Sequence, residues 1–61
     1  MPTIFVNMLE GKTQDQKDQL VRKITDAAVE ALEARPEKVS VFIREYPPNS
    51  ISNNGVMYDR F

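Results

Sequence analysis

The chain has no cysteine, no histidine and no tryptophan, and only two glycines in 61 residues. Without cysteine there is no disulfide to staple a small fold, and without cysteine and histidine there is no ordinary zinc site. The same gaps exclude thiol nucleophiles, Ser-His and Cys-His pairs, and proton transfer through imidazole. Positive charge is not in excess either: eight Lys and Arg face nine Asp and Glu, for a net charge of -1. That leaves no basic field for a phosphate backbone, so nucleic acid is not an expected partner. No apolar run approaches the roughly 20 residues of a membrane span, and the start MPTIFVNMLEG lacks the charged region and small-residue cleavage site of a signal peptide. The expectation is a cytoplasmic protein without membrane contact.

What is present is a globular balance, 41% hydrophobic and 28% charged. A single domain over residues 1–61 is all the length allows. A chain of this size buries only about 60% of the surface its unfolded form exposes, which makes it marginal alone. With disulfides and metals gone, association with other chains is the remaining route to stability.

Thr3, Ile4, Phe5, Val6, Asn7, Met8 and Leu9 are rich in β-branched and aromatic side chains and stop at Glu10-Gly11, which predicts a first strand. Both of its faces carry apolar groups, Ile4, Val6 and Met8 on one and Phe5 and Leu9 on the other. Thr13 with Gln16 three residues later reads as a capping box, and Asp15 and Asp18 suit the positive end of the helix it opens. Leu20, Val21, Ile24, Ala27, Ala28, Ala31 and Leu32 then form one apolar stripe, opposite Lys23, Asp26, Glu30 and Glu33. The pattern ends near Ala34-Arg35-Pro36, where proline cannot continue the hydrogen-bond ladder. Residues 39–46 predict a second strand, ended by Pro47-Pro48, and Asn53-Asn54-Gly55 offers the turn of a short C-terminal hairpin. Strand, helix and strand at these lengths give a right-handed parallel crossover, so the fold class is α+β: a β-α-β protomer with a C-terminal β-hairpin. One helix covers one sheet face. The other face and the free edges predict a dimer with a continuous four-stranded sheet, and further stacking of dimers.

Chemistry in a chain without histidine turns attention to Pro2. A small second residue favours removal of the initiator methionine, and the mature chain then begins with a secondary amine. Burial among apolar groups disfavours the charged form of such an amine and leaves a neutral base at physiological pH. Position alone does not separate this from chance, since proline is about one residue in twenty.

Pro2 opening a strand, Leu9-Glu10-Gly11-Lys12 at its end, Gln16-Lys17 in the capped first turn, the helix stripe, the strand from Val39 to Glu45 and the glycine-containing hairpin together resemble the 4-oxalocrotonate tautomerase family, over essentially the whole chain. The resemblance implies a homohexamer built as a trimer of dimers, and a cofactor-independent, metal-free isomerase acting on a small enol or 2-oxo acid. It implies that Pro2 is the catalytic acid-base group. Lys12 stands where the family usually has an arginine that holds a substrate carboxylate; lysine keeps the charge and loses the bidentate fork. Ser40 stands at the family's second arginine, which binds the 2-oxo or carboxylate end of the substrate from a neighbouring chain, and serine donates one hydrogen bond but supplies no charge. Ile51 stands at an aromatic residue that walls the proline, and it keeps that wall apolar. Arg44 lies on Ser40's strand face about 13 Å further along, at ~3.3 Å per residue, and reads as an edge charge that discourages aggregation. Arg60 carries a charge in the tail, Asn53 and Asn54 read as turn residues, and Tyr46 and Tyr58 as half-buried packing groups. Other readings fit the same residues: one subunit of a hetero-oligomer, a dehalogenase or decarboxylase of the same superfamily, or an oligomeric module that keeps the fold without the activity.

Overall fold

The protein was analysed as a computed structural model, which describes residues 2–60. Met1, on whose removal a free Pro2 amine depends, lies outside the described residues. The order is β1 (Thr3–Leu9), α1 (Gln14–Leu32), β2 (Ser40–Tyr46) and a hairpin of β3 (Ser52–Asn53) and β4 (Val56–Met57), with 3-10 turns at Pro36–Lys38, Pro48–Ser50 and Tyr58–Arg60. The two long strands are parallel, in register from Thr3 opposite Ser40 to Leu9 opposite Tyr46. One further hydrogen bond prolongs the ladder at each end: Ser40 N–H donates to the Pro2 carbonyl at 3.1 Å, and Glu10 N–H to the Tyr46 carbonyl at 2.9 Å.

The capping box forms as the sequence predicts. Gln16 N–H donates to Thr13 Oγ1 at 3.1 Å, and Thr13 N–H donates to Gln16 Oε1 at 2.9 Å. The helix closes at Leu32, earlier than the expected end near Ala34, because Glu33 adopts the left-handed conformation (φ 54°, ψ 35°) before the constraint of Pro36 is reached. β2 begins at Ser40 rather than Val39 for a related reason. Val39 N–H is committed to the Pro36 carbonyl at 3.1 Å and cannot join the ladder. In the hairpin, Asn54 and Gly55 both take positive φ (55° and 81°), the geometry a two-residue turn between antiparallel strands requires.

Ile4, Val6, Met8, Val41 and Ile43 share one sheet face and are half-buried. Leu20, Val21 and Ile24 of α1 are half-buried as well, and Ala28 is buried. The stripe predicted from the sequence is longer than the packing uses: Ala27 and Ala31 are exposed, and Leu32 is 63% exposed. A 19-residue helix is about 28 Å long while a seven-residue strand spans about 23 Å, so the last helical turn has no sheet beneath it. At the other end Lys17 Nζ meets a Glu45 carboxylate oxygen at 2.9 Å and ties the first turn of α1 to β2.

The opposite sheet face is bare. Phe5 and Phe42 stack on it with ring centroids 5.3 Å apart, yet they remain 63% and 55% exposed. Among the described residues Ala28 alone is buried. The molecule is a slab of 42 × 24 × 13 Å, and its radius of gyration of 14.4 Å exceeds the ~10.5 Å expected of a compact domain of this length. One sheet with one helix is a single half-covered layer pair, and the stacked rings form an apolar patch of the kind that marks an interaction surface.

Two outcomes follow. Thr13→Ala removes one arm of the capping box and is expected to lower stability by about 1 kcal/mol, read from the urea midpoint at fixed protomer concentration. Phe42→Lys places a charge on the bare face and is expected to shift sedimentation at equal concentration toward smaller species.

Candidate active site

Pro2 and Ser40 are brought together by the parallel register. Pro2 immediately precedes β1, and its carbonyl accepts the Ser40 N–H, so the half-buried proline is held against the first residue of β2. The backbone around this point has little left to give a ligand. Lys38 N–H donates to the Arg35 carbonyl at 2.9 Å and Val39 N–H to the Pro36 carbonyl, so three successive donors, at 38, 39 and 40, are all committed. What Ser40 still offers is its hydroxyl.

Lys12 lies beyond the far end of β1. The strand's seven residues put its two ends about 20 Å apart, so one chain does not bring Lys12 to Pro2. Gly11, just before it, has φ 119°, a conformation open to glycine and strained for other residues, and this turn redirects the chain from strand to helix. Lys12 is exposed and lines a groove of about 250 Å³ with Met8, Gln16, Lys17 and Leu20. Met8 and Leu20 supply an apolar floor. Lys17 at its edge is already neutralised by Glu45, which leaves Lys12 as the cation that can receive an anion there.

Ile51 is half-buried and sits on the C-terminal arm, which leaves the sheet at the Tyr46 end of β2. Its carbonyl accepts Tyr58 N–H at 2.7 Å, which ties the start of the hairpin to the final turn. Of the four candidates, then, Pro2 and Ser40 meet within one chain, while Lys12 and Ile51 are carried on segments that begin at the opposite end of the sheet.

Arg44 lies on the bare face with Phe5 and Phe42, opposite Asn7 in the register, and has no ion-pair partner among the described residues. Asn7 is engaged: its side-chain oxygen accepts the Tyr46 hydroxyl at 2.9 Å, so Tyr46 braces the far end of the face. Arg60 faces Asp59 at 3.9 Å, and Arg35 faces Glu37 at 3.4 Å. The groove around Lys12 is what reading the sequence missed. Its signal was present in Met8 on the helix-side strand face and in Gln16 and Leu20 one helical turn apart. Among the described residues no cluster of three metal-ligating side chains occurs, and no helix is long and apolar enough to cross a membrane.

The chain was then compared with known proteins. Residues 2–59 match the family model described as tautomerase enzyme. The 2-hydroxymuconate tautomerase of Bacillus subtilis (strain 168) is 51% identical over 45 residues, which is 74% of this chain and 73% of that protein. Among solved structures, YwhB, a homologue of 4-oxalocrotonate tautomerase, superposes with a TM-score of 0.95 at 38% identity over 98% of both chains. A heterohexameric 4-oxalocrotonate tautomerase from Chloroflexus aurantiacus J-10-fl superposes with a TM-score of 0.96 at 30% identity, over 100% of this chain and 98% of that one.

Proposed function

The chain belongs to the tautomerase family and is an isomerase; on that footing we propose that it moves a proton between the enol oxygen and a carbon of an unsaturated 2-oxo acid, with the amine of Pro2 as the general base. Removal of Met1 frees this amine. It takes the enol hydroxyl proton and becomes a secondary ammonium. The O–H electron pair forms the carbonyl, the double bonds shift along the conjugated chain, and a carbon further along takes the proton back. The reaction is an isomerisation that balances without cofactor or co-reactant. Lys12 holds the substrate carboxylate and draws electron density toward it as the enolate develops. Ser40 contributes a hydroxyl to the site, and an Ile51 from a neighbouring copy contributes an apolar wall.

The observation that carries this reading is the pinning of Pro2: a half-buried residue held to Ser40 at the start of a rigid strand suits a fixed base better than a free tail does. The ~20 Å between the two ends of β1 adds a condition. A small substrate cannot touch Pro2 and Lys12 of one chain, so its site takes them from different copies. Antiparallel pairing of two protomer sheets supplies that arrangement, because it lays the Lys12 end of one beside the Pro2 end of the other. The assembly proposed is a homohexamer; isolation from the native host with a second similar chain would replace it with a hetero-oligomer.

Pro2→Ala is expected to lower kcat/KM for enol ketonisation by about 10²-fold, the lower end of what a positioned acid-base group contributes, because a primary amine still replaces the secondary one. Material whose intact mass shows retained Met1 is expected to lack the activity altogether. An unchanged rate in Pro2→Ala sinks the assignment. Mixing tests the shared site: Pro2→Ala and Lys12→Met chains, each strongly impaired alone, are expected to recover about one quarter of wild-type activity when refolded together at equal amounts, as random pairing predicts. No recovery would place both groups in one chain's site.

A further inference from the structure

We infer that Gln16 is a second ligand of the carboxylate held by Lys12, the one remote from the reacting enol; this rests on the reading above and adds a specificity-determining residue to it. Lys12 and Gln16 line the same groove and belong to the same chain, so no neighbouring copy is needed to bring them together. The capping box fixes how the glutamine presents itself. Its Oε1 accepts the N–H of Thr13 at 2.9 Å, and that N–H belongs to the peptide bond joining Lys12 to Thr13. The side-chain amide is thereby laid against the backbone next to the cation.

The same bond settles which end of the amide is free. A backbone N–H can only donate, so the oxygen faces Thr13 and the NH2 group, with two donors, is turned away from it. Among the described residues that NH2 group has no hydrogen-bond partner. Elsewhere in the groove Lys17 is occupied by Glu45 at 2.9 Å, and Met8 and Leu20 are apolar. What this chain's groove offers an anion is the Lys12 ammonium and the Gln16 NH2 group. A carboxylate brings two oxygens. Lysine is a point charge without the fork of arginine, so one oxygen is left for a second donor. The residue type agrees. At this position glutamate completes a capping box as well as glutamine does, and its charge would gain from the helix dipole. Here it would also set a carboxylate beside the one the groove receives. Glutamine keeps the cap and supplies donors in its place.

Two probes test this: 2-hydroxymuconate, and 2-hydroxypenta-2,4-dienoate, which lacks the remote carboxylate and keeps the one bonded to the enol carbon. The readout is the ratio of kcat/KM for the diacid to that for the monoacid. Gln16→Ala is expected to lower it at least about tenfold, the size of one lost charge-assisted hydrogen bond. Thr13→Ala removes the other arm of the capping box and is expected to leave the ratio at its wild-type value. Gln16→Glu keeps the cap, so it is expected to lower the ratio further with no fall in the urea midpoint, and it decides should Gln16→Ala fail to assemble. An unchanged ratio in either Gln16 variant overturns the inference, and so does an equal fall in Thr13→Ala, which would make the effect one of helix capping. If the monoacid turns over too slowly to follow, the diacid kcat/KM of Gln16→Ala against that of Thr13→Ala gives the same decision. Lys12→Met separates the two levels. If it lowers the ratio and the Gln16 variants do not, the ligand role of Gln16 falls and the carboxylate role of Lys12 stands. If Lys12→Met leaves the ratio intact, or wild-type protein turns over neither probe, both fall together.

Discussion

A parallel pair of strands with one helix laid across it has two faces to cover and material for one. Everything else in this protein follows from that shortage. The register aligns Phe5 with Phe42 on the uncovered side, where they stack and remain more than half exposed. On the covered side the helix meets the sheet through half-buried Leu20, Val21 and Ile24, and among the described residues Ala28 alone is buried. Covering each exposed phenylalanine is worth on the order of 1–2 kcal/mol, a large share of what so small a chain can hold. The uncovered face thus ties folding to the assembly proposed above, and the proposed site is drawn into the same problem.

The parallel connection fixes where the chemical groups can be. It sets the start of β1 beside the start of β2, which joins Pro2 to Ser40, and it sends the Gly11 turn and Lys12 to the far end. A crossover cannot do otherwise: the helix must run back along the sheet before β2 begins. The proposed site thus inherits its division between copies from the connectivity that leaves the sheet open. The Lys17–Glu45 contact has a part in both, since it clamps the helix to β2 and removes a competing cation from the groove beside Lys12.

Local rules made much of this legible. The span of β1, the Thr13–Gln16 box, the Asn54-Gly55 turn and the alternation of strand faces depend on near neighbours, and the chain follows them. The misses lie where a local pattern meets a tertiary limit. Ala31 and Leu32 continue the apolar stripe, but the strands beneath are too short to reach them, and the helix closes at Glu33. Val39 has the side chain of a strand residue, yet a 3-10 turn takes its N–H first. The candidate residues were found through a family resemblance, whereas Met8, Gln16 and Leu20 around Lys12 come from segments that periodicity treats separately.

The sequence by itself determined the elements and their amphipathic faces, because hydrogen-bonding turns, caps and side-chain alternation act over a few residues. It also determined that no thiol or imidazole chemistry is available. Tertiary structure alone decided which groups stand together: that Ser40 closes on Pro2, that three backbone donors there are used up, that Glu45 quenches Lys17, and that Lys12 stands a strand's length away. Those are consequences of register and of strand length against helix length, and both are settled only when distant parts of the chain pair.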